Sequence, residues 1–226
     1  MTEEVKNLLQ DYFAAAANLY GIIPLRKFLE IYNSQNETPV TEEELKELTD
    51  SIDFDERIYD LVAEDEIYET EEPTKYLDKT LTTQHLYCFG DWDDYIEMLE
   101  MQEGLDYYIP KKERFLRYKD EYFFEKTLEY IDLRAFFRNL PYFNKKDADE
   151  IAEEMYLNLR MEHGNDIRDA VYDAVRLGFN DDNEAEFEEL CSLLVKLNKV
   201  VRKQCYRGQT QKEVFSDSGN RFVRFK

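Results

Sequence analysis

Apolar side chains recur at spacings of three and four in at least six segments of this chain, and 7 glycines and 5 prolines are all that its 226 residues hold to interrupt them. That spacing lines one face of an α-helix, whereas a strand repeats every two residues. A β-sandwich needs a turn every 8–12 residues or so, and the chain lacks the residues to make them. The fold class expected is mainly α.

The first helix is read from Glu3 to Tyr20, where Val5, Leu8, Leu9, Tyr12, Phe13, Ala16 and Leu19 keep the helical period and Gly21 supplies a stop. Pro24, a favoured first-turn residue, opens a second helix that runs to Asn33 with Leu25, Phe28, Leu29 and Tyr32 on one face. Thr41-Glu42-Glu43-Glu44 has the form of a capping box and begins a third helix through Leu45, Leu48 and Ile52. Arg57–Val62 and Ile67–Thr70 then flank an acidic turn and read as a hairpin, with Tyr59 and Tyr68 as strand formers. Three helices and a hairpin are the order of a winged helix, so residues 1–72 are assigned to a winged-helix-like unit. A three-helix module that packs on the rest of the chain has the same pattern.

The stretch Glu71–Leu81, with Pro73, reads as a linker, and residues 82–226 as a larger α-helical domain with a basic C-terminal segment. Within it, Asp91 is placed to cap a helix through Tyr95, Ile96, Met98 and Leu99 that Gly104 ends. Twelve aromatics follow between Tyr107 and Phe143. Further helices are read over Lys146–Glu162 and Asp166–Leu177, and from Asn183 through Phe187, Leu190, Leu194, Leu197 and Val201.

Charge divides the chain unevenly. Residues 196–226 carry 9 Lys+Arg against 2 Asp+Glu, which leaves 20 against 49 in residues 1–195, within a total of −22. With 17 Tyr and 15 Phe, so acidic a chain is nevertheless not disordered. The acidic body repels nucleic acid and anionic membrane surfaces. No apolar run approaches the ~20 residues that span a bilayer. Three cysteines at unrelated spacings suit free thiols, and the acidic opening Met1-Thr2-Glu3-Glu4 is unlike a signal peptide, so a cytoplasmic protein is expected.

The chemistry of known sites is incomplete. His85-Leu-Tyr-Cys88 offers two zinc ligands where about four are needed, and His163 and Cys191 are distant in sequence. Asp181-Asp182-Asn183-Glu184 departs from the calcium-loop pattern. The chain has neither a Gly-x-Ser-x-Gly elbow nor a glycine-rich phosphate loop. No catalytic residue, metal or cofactor is assigned.

Helix three of the winged-helix-like unit would enter a DNA groove, yet it carries Glu42, Glu43, Glu44 and Glu47, and the turn region adds Asp60, Glu64, Asp65, Glu66 and Glu69. Carboxylates facing phosphates oppose binding, which argues against direct DNA reading. These nine residues are instead candidates for contact with a protein partner that has a basic surface. Lys111, Lys112, Arg114 and Arg117, interleaved with Phe115 and Tyr118, and Arg202 and Arg207 in the tail are candidate anion contacts. The alternative for both basic segments is that they dock on the acidic body.

The tail Asn198-x-x-x-Arg202-x-x-x-x-Arg207-Gly208-Gln-Thr210-Gln-Lys-Glu213-Val-Phe215 resembles an Arg-Gly-x-Thr-Pro-x-Glu-Leu segment near the end of a group of uncharacterised Firmicutes proteins, some with a SEC-C zinc motif. The phrase Asn18-Leu-Tyr-Gly-Ile-Ile-Pro-Leu-Arg-Lys-Phe-Leu-Glu-Ile-Tyr-Asn-Ser-Gln-Asn36 is similar to that group's N-terminal helical unit. The zinc motif is absent here, and Gln211 stands where proline is usual. The resemblance implies a bacterial, intracellular family and carries over no metal ligand or catalytic residue. In physical terms Thr210-x-x-Glu213 is a second capping box, able to start a terminal helix.

Two functions are compatible with these features. One is a non-enzymatic regulatory or adaptor protein that binds another protein through its acidic surface. The other is an acidic nucleic-acid mimic from a phage or mobile element that inhibits a nuclease, of the anti-CRISPR or anti-restriction type.

Overall fold

A computed structural model describes residues 1–54, 57–70, 72–86, 92–161 and 167–216. Among them are ten α-helices and one three-stranded sheet, so the fold is mainly helical. The chain forms two compact units, Met1–Phe123 and Phe124–Lys226, each with its own core.

The first unit is built around α1 (Glu3–Tyr20), which Thr2 caps through a hydrogen bond from the Val5 amide. Up to Ala14 the helix keeps a wet face with Glu3, Glu4, Asn7 and Asp11, as an amphipathic helix does, but every residue from Ala15 to Tyr20 is buried. Its alanines let neighbouring elements approach closely. Gly21, at φ 69°, turns the chain out of α1 into β1 (Ile22–Pro24), a conformation that L side chains resist. Next come α2 (Leu25–Gln35), with Pro24 as its N-cap residue, and α3 (Glu42–Thr49), where Thr41 and Glu44 form the expected capping box.

The sheet differs from the hairpin that the sequence suggests. β2 (Tyr59–Val62) lies within the expected first strand, but residues 67–70 form no strand, and Glu64–Glu66 is a 3-10 turn. The partner of β2 is β3 (Thr80–Thr83), which straddles the end of the stretch read as linker and the start of the expected second domain. β3 is the central strand, antiparallel to β2 with Leu61 opposite Leu81, and antiparallel to β1 with Ile23 opposite Leu81. Pro24, which has no amide to donate, therefore sits on an edge strand. The threonine-rich run Thr80-Leu81-Thr82-Thr83, mostly buried, suits the center of a sheet better than the exposed Tyr68–Thr70 does.

The compact unit also extends past residues 72–82, because the aromatic segment after α4 (Asp93–Gln102) closes over α1. Phe115, in the short α5 (Lys112–Phe115), and Tyr118, in the 3-10 turn after it, are both buried in the first core. Polar contacts fix this arrangement. Asn18 Nδ2 donates to Tyr118 O at 2.9 Å, Tyr20 Oη to Tyr108 O at 2.8 Å, and Gln102 Nε2 to Tyr20 O at 2.6 Å. Each satisfies a group that would be costly to bury alone. Asp91, expected as the cap of α4, lies outside the described residues.

The second unit consists of α6 (Leu128–Asn139), α7 (Lys145–Met161), α8 (Arg168–Arg176), α9 (Glu184–Asn198) and α10 (Gln211–Ser216). Tyr130, Leu133, Phe136 and Phe137 of α6 face Ile151, Met155, Tyr156 and Leu159 of α7 and Leu190, Leu194 and Leu197 of α9 in one core. Helix α6 was not read from the sequence, although Thr127 caps it by accepting from the Tyr130 amide. Arg138 joins α6 to α7 through both Asp149 oxygens at 2.5 Å. The expected ends at Glu162 and Asp166 lie outside the described residues, and α9 stops at Asn198, short of Val201.

Phe13 stacks on Phe28 at 4.5 Å and meets Tyr59 at 5.7 Å, with no exposed surface. Phe13→Ala is expected to cost about 3–5 kcal/mol in chemical denaturation, while Ile58→Ala, at an exposed position, costs within about 0.5 kcal/mol.

Candidate functional site

The nine candidate carboxylates divide between two elements of the first unit. Glu42, Glu43, Glu44 and Glu47 lie on α3, and Asp60, Glu64, Asp65, Glu66 and Glu69 lie on β2 and the turn that follows it.

Four of the nine serve the local backbone. Glu44 accepts from the Thr41 amide at 3.1 Å, closing the capping box. Asp60 Oδ1 accepts from the Leu61 amide at 2.7 Å, and Glu66 Oε1 from the Ala63 amide at 3.3 Å. Asp65 binds the hydroxyl and the amide of Thr74, and those hydrogen bonds hold its carboxyl below the usual carboxylate range. The remaining five, Glu42, Glu43, Glu47, Glu64 and Glu69, are exposed, and among the described residues their carboxylates make no hydrogen bond or ion pair. On α3 the nearby cation is already committed, since Lys46 Nζ lies 2.6 Å from Asp50. The face therefore presents net negative charge to solvent.

The basic candidates of the first unit are mostly occupied by their own surroundings. Lys112 donates to Asn36 Oδ1 at 2.6 Å, and Arg117 lies 4.3 Å over the Phe123 ring. The neighbouring Lys119 pairs with Asp11 at 2.8 Å. Lys111 and Arg114 are exposed.

In the second unit Arg202 is an internal strut. It forks onto both Glu213 oxygens at 2.9 and 3.2 Å, donates to Gly208 O at 3.1 Å, and lies 3.5 Å from Glu125. Its side chain is 11% exposed, which removes it from any surface for a large anion. Arg207 is half-buried and holds φ 51° beside Gly208 at φ 75°, in a tight turn. That turn is closed by hydrogen bonds from the Lys203 amide to Gln209 O and from the Gly208 amide to Lys203 O. Lys203 is fully buried, which its place in a basic tail does not suggest. Thr210 and Glu213 form the second capping box and start α10. One carboxylate thus caps a helix and neutralises an arginine. Burial works against the Glu213 charge, but Arg202 and Thr210 outweigh it and keep the carboxyl below its usual range.

His85 lies 3.4 Å from Thr83 Oγ1, while Cys88 and His163 are outside the described residues. Cys205 is buried, and burial pushes the half-buried Cys191 thiol up. Among the described residues no group of three His, Cys, Asp or Glu side chains is placed to hold a metal ion.

Sequence reasoning did not find an open groove of about 590 Å³ in the first unit, lined by Asn7, Gln10, Asp11, Arg57, Tyr59 and Lys119 among others. The Tyr59 hydroxyl is buried there with no hydrogen-bond partner among the described residues. Burial pushes its pKa up and Asp11 adds to the effect, while Arg57 opposes it. No local pattern signals it, because the groove forms only when α1 and the segment after α5 meet. Searched against family models, curated proteins and solved structures, the chain matches none.

Glu213→Gln is expected to lower the melting temperature at neutral pH. The Glu213 carboxyl is depressed in the folded state, so its stabilisation is complete above the unfolded value near 4.5 and is lost as pH falls through the folded value. The gap between wild type and variant should therefore narrow as the pH falls below 4.5. A gap that does not change with pH would contradict the assignment.

Proposed function

We propose that the chain is a non-enzymatic regulatory or adaptor protein that binds a protein partner with a basic surface through the acidic face of its first unit. The observation that carries this reading is the exposed set Glu42, Glu43 and Glu47 on α3, free of ion pairs among the described residues while Lys46 is held by Asp50. Charge of one sign on a rigid element steers an oppositely charged partner and raises the rate of encounter.

The order α1-β1-α2-α3-β2-β3, with sheet order β1-β3-β2, supports reading this unit as winged-helix-like. On that reading α3 holds the place of the recognition helix and carries carboxylates where a DNA reader carries cations. The same scaffold then suits a basic protein surface and opposes DNA. The nucleic-acid mimic is less well supported. It calls for carboxylates in a continuous row, and here Glu44, Asp60, Asp65 and Glu66 are taken up by local hydrogen bonds. A protein acting in the cytoplasm is consistent with the free thiols and with the observation that no described helix is long and apolar enough to cross a membrane.

Affinity capture from the native host, followed by kinetics with the captured partner, tests the reading. The triple variant E42K/E43K/E47K is expected to slow association on the order of 10-fold and to change dissociation less. Affinity of the wild type should fall between about 0.05 and 0.5 M salt as exposed charges are screened. Salt-independent affinity with unchanged association in the variant would remove this face from the contact.

A further inference from the structure

The second unit carries an open groove of about 520 Å³ lined by Lys196, Lys199, Val200, Lys212 and Phe215 and by one carboxylate, Glu129, against the three lysines. Acidic residues outnumber basic ones 51 to 29 in this chain, and several lysines and arginines pair with a carboxylate. Arg26 pairs with Asp78, Lys27 with Glu30, Lys146 with Glu150, and Arg176 with Asp173 and Glu154. Lys196, Lys199 and Lys212 instead share one groove. All three are exposed, and among the described residues their ammonium groups make no ion pair or hydrogen bond.

The groove is also apolar between its cations. Val200 is half-buried, and Phe215 keeps 43% of its surface exposed. The position of α10 is fixed from behind by the Arg202–Glu213 fork and by the Lys212 amide donating to Lys199 O at 3.1 Å. The two lysine-bearing elements, the end of α9 and the start of α10, are thus held together before any ligand arrives, which reduces the ordering cost of binding.

We propose that this groove is a second docking site, for an acidic peptide segment of a protein partner that carries at least one large apolar side chain. Carboxylates of the peptide would neutralise Lys196, Lys199 and Lys212, and its apolar side chain would cover Val200 and Phe215. A peptide fits better than nucleic acid because the chain's net charge of −22 repels a polyphosphate over long range, while a short acidic peptide meets the local field of three lysines. The site is independent of the acidic face on α3 and would hold a partner of opposite charge character.

The test is display selection of a random twelve-residue peptide library on the full chain, counter-selected on K196E/K199E/K212E. A K196Q/K199Q/K212Q variant serves as a milder second form, and melting curves check that both fold. Enriched peptides are expected to be acidic with at least one aromatic or large aliphatic residue. They should bind the glutamine variant at least about 10-fold more weakly than wild type, because three charge contacts are removed. Phe215→Ala should weaken the same peptides without altering their salt dependence. The proposal is overturned if selection enriches no peptide that separates wild type from the folded variants, or if the enriched peptides lack acidic residues. It is equally overturned if labelled oligo-dT binds the groove lysines more tightly than any selected peptide.

Discussion

The first unit depends on the complete burial of the C-terminal third of α1, Ala15–Tyr20. A helix that shows no face to water from Ala15 to Tyr20 must be covered on every side, and the chain does this with elements drawn from far along its length. β1 and α2 follow at once, β3 arrives sixty residues later, and Phe115 and Tyr118 complete the cover. The order in sequence hides this dependence, because the last covering segment lies about a hundred residues from the helix it protects. Tyrosines perform much of the task. Tyr12, Tyr20 and Tyr32 bury their rings and direct their hydroxyls or ring edges to partners, for example Tyr12 Oη to Gln35 at 2.9 Å. A chain with so much charge thereby gains core area while satisfying polar groups.

The candidate surfaces follow from that arrangement. Because α3 rests on the α1 core through Leu45 and Leu48, its opposite face is left to Glu42, Glu43 and Glu47. In the second unit the fork between Arg202 and Glu213 has the corresponding part, holding α10 where Lys212 and Phe215 join the lysines of α9 in one groove. On the proposed reading, these two surfaces of opposite sign, each mounted on a supported element, would let one chain hold two partners.

Local signals were legible in the sequence, and distant ones were not. The periodicity of α1, α2, α7 and α9 and both capping boxes, at Thr41–Glu44 and Thr210–Glu213, needed only neighbours along the chain. β1 and β3 span three and four residues and exist because of their pairing, so no local pattern marked them out against Ile67–Thr70. Helix α6 was concealed by its density of aromatics, though Thr127 followed by Tyr130, Leu133, Phe136 and Phe137 carries the helical period. For the site, the acidity of α3 was plain from composition. The withdrawal of Arg202 was not, because its partner lies eleven residues away across a turn with Arg207 in a left-handed conformation. Lys196, Lys199 and Lys212 likewise look like any other lysines until α10 folds back on α9.

Hydrogen exchange of the full chain, wild type against Phe115→Ala, tests the dependence on α1 most directly. If burial of α1 organises the first unit, removing this remote ring will raise exchange in Ala15–Tyr20 and in β1 and β3 together, as one cooperative unit. Loss of protection confined to residues around 112–119, with α1 as slow as in wild type, would contradict the account.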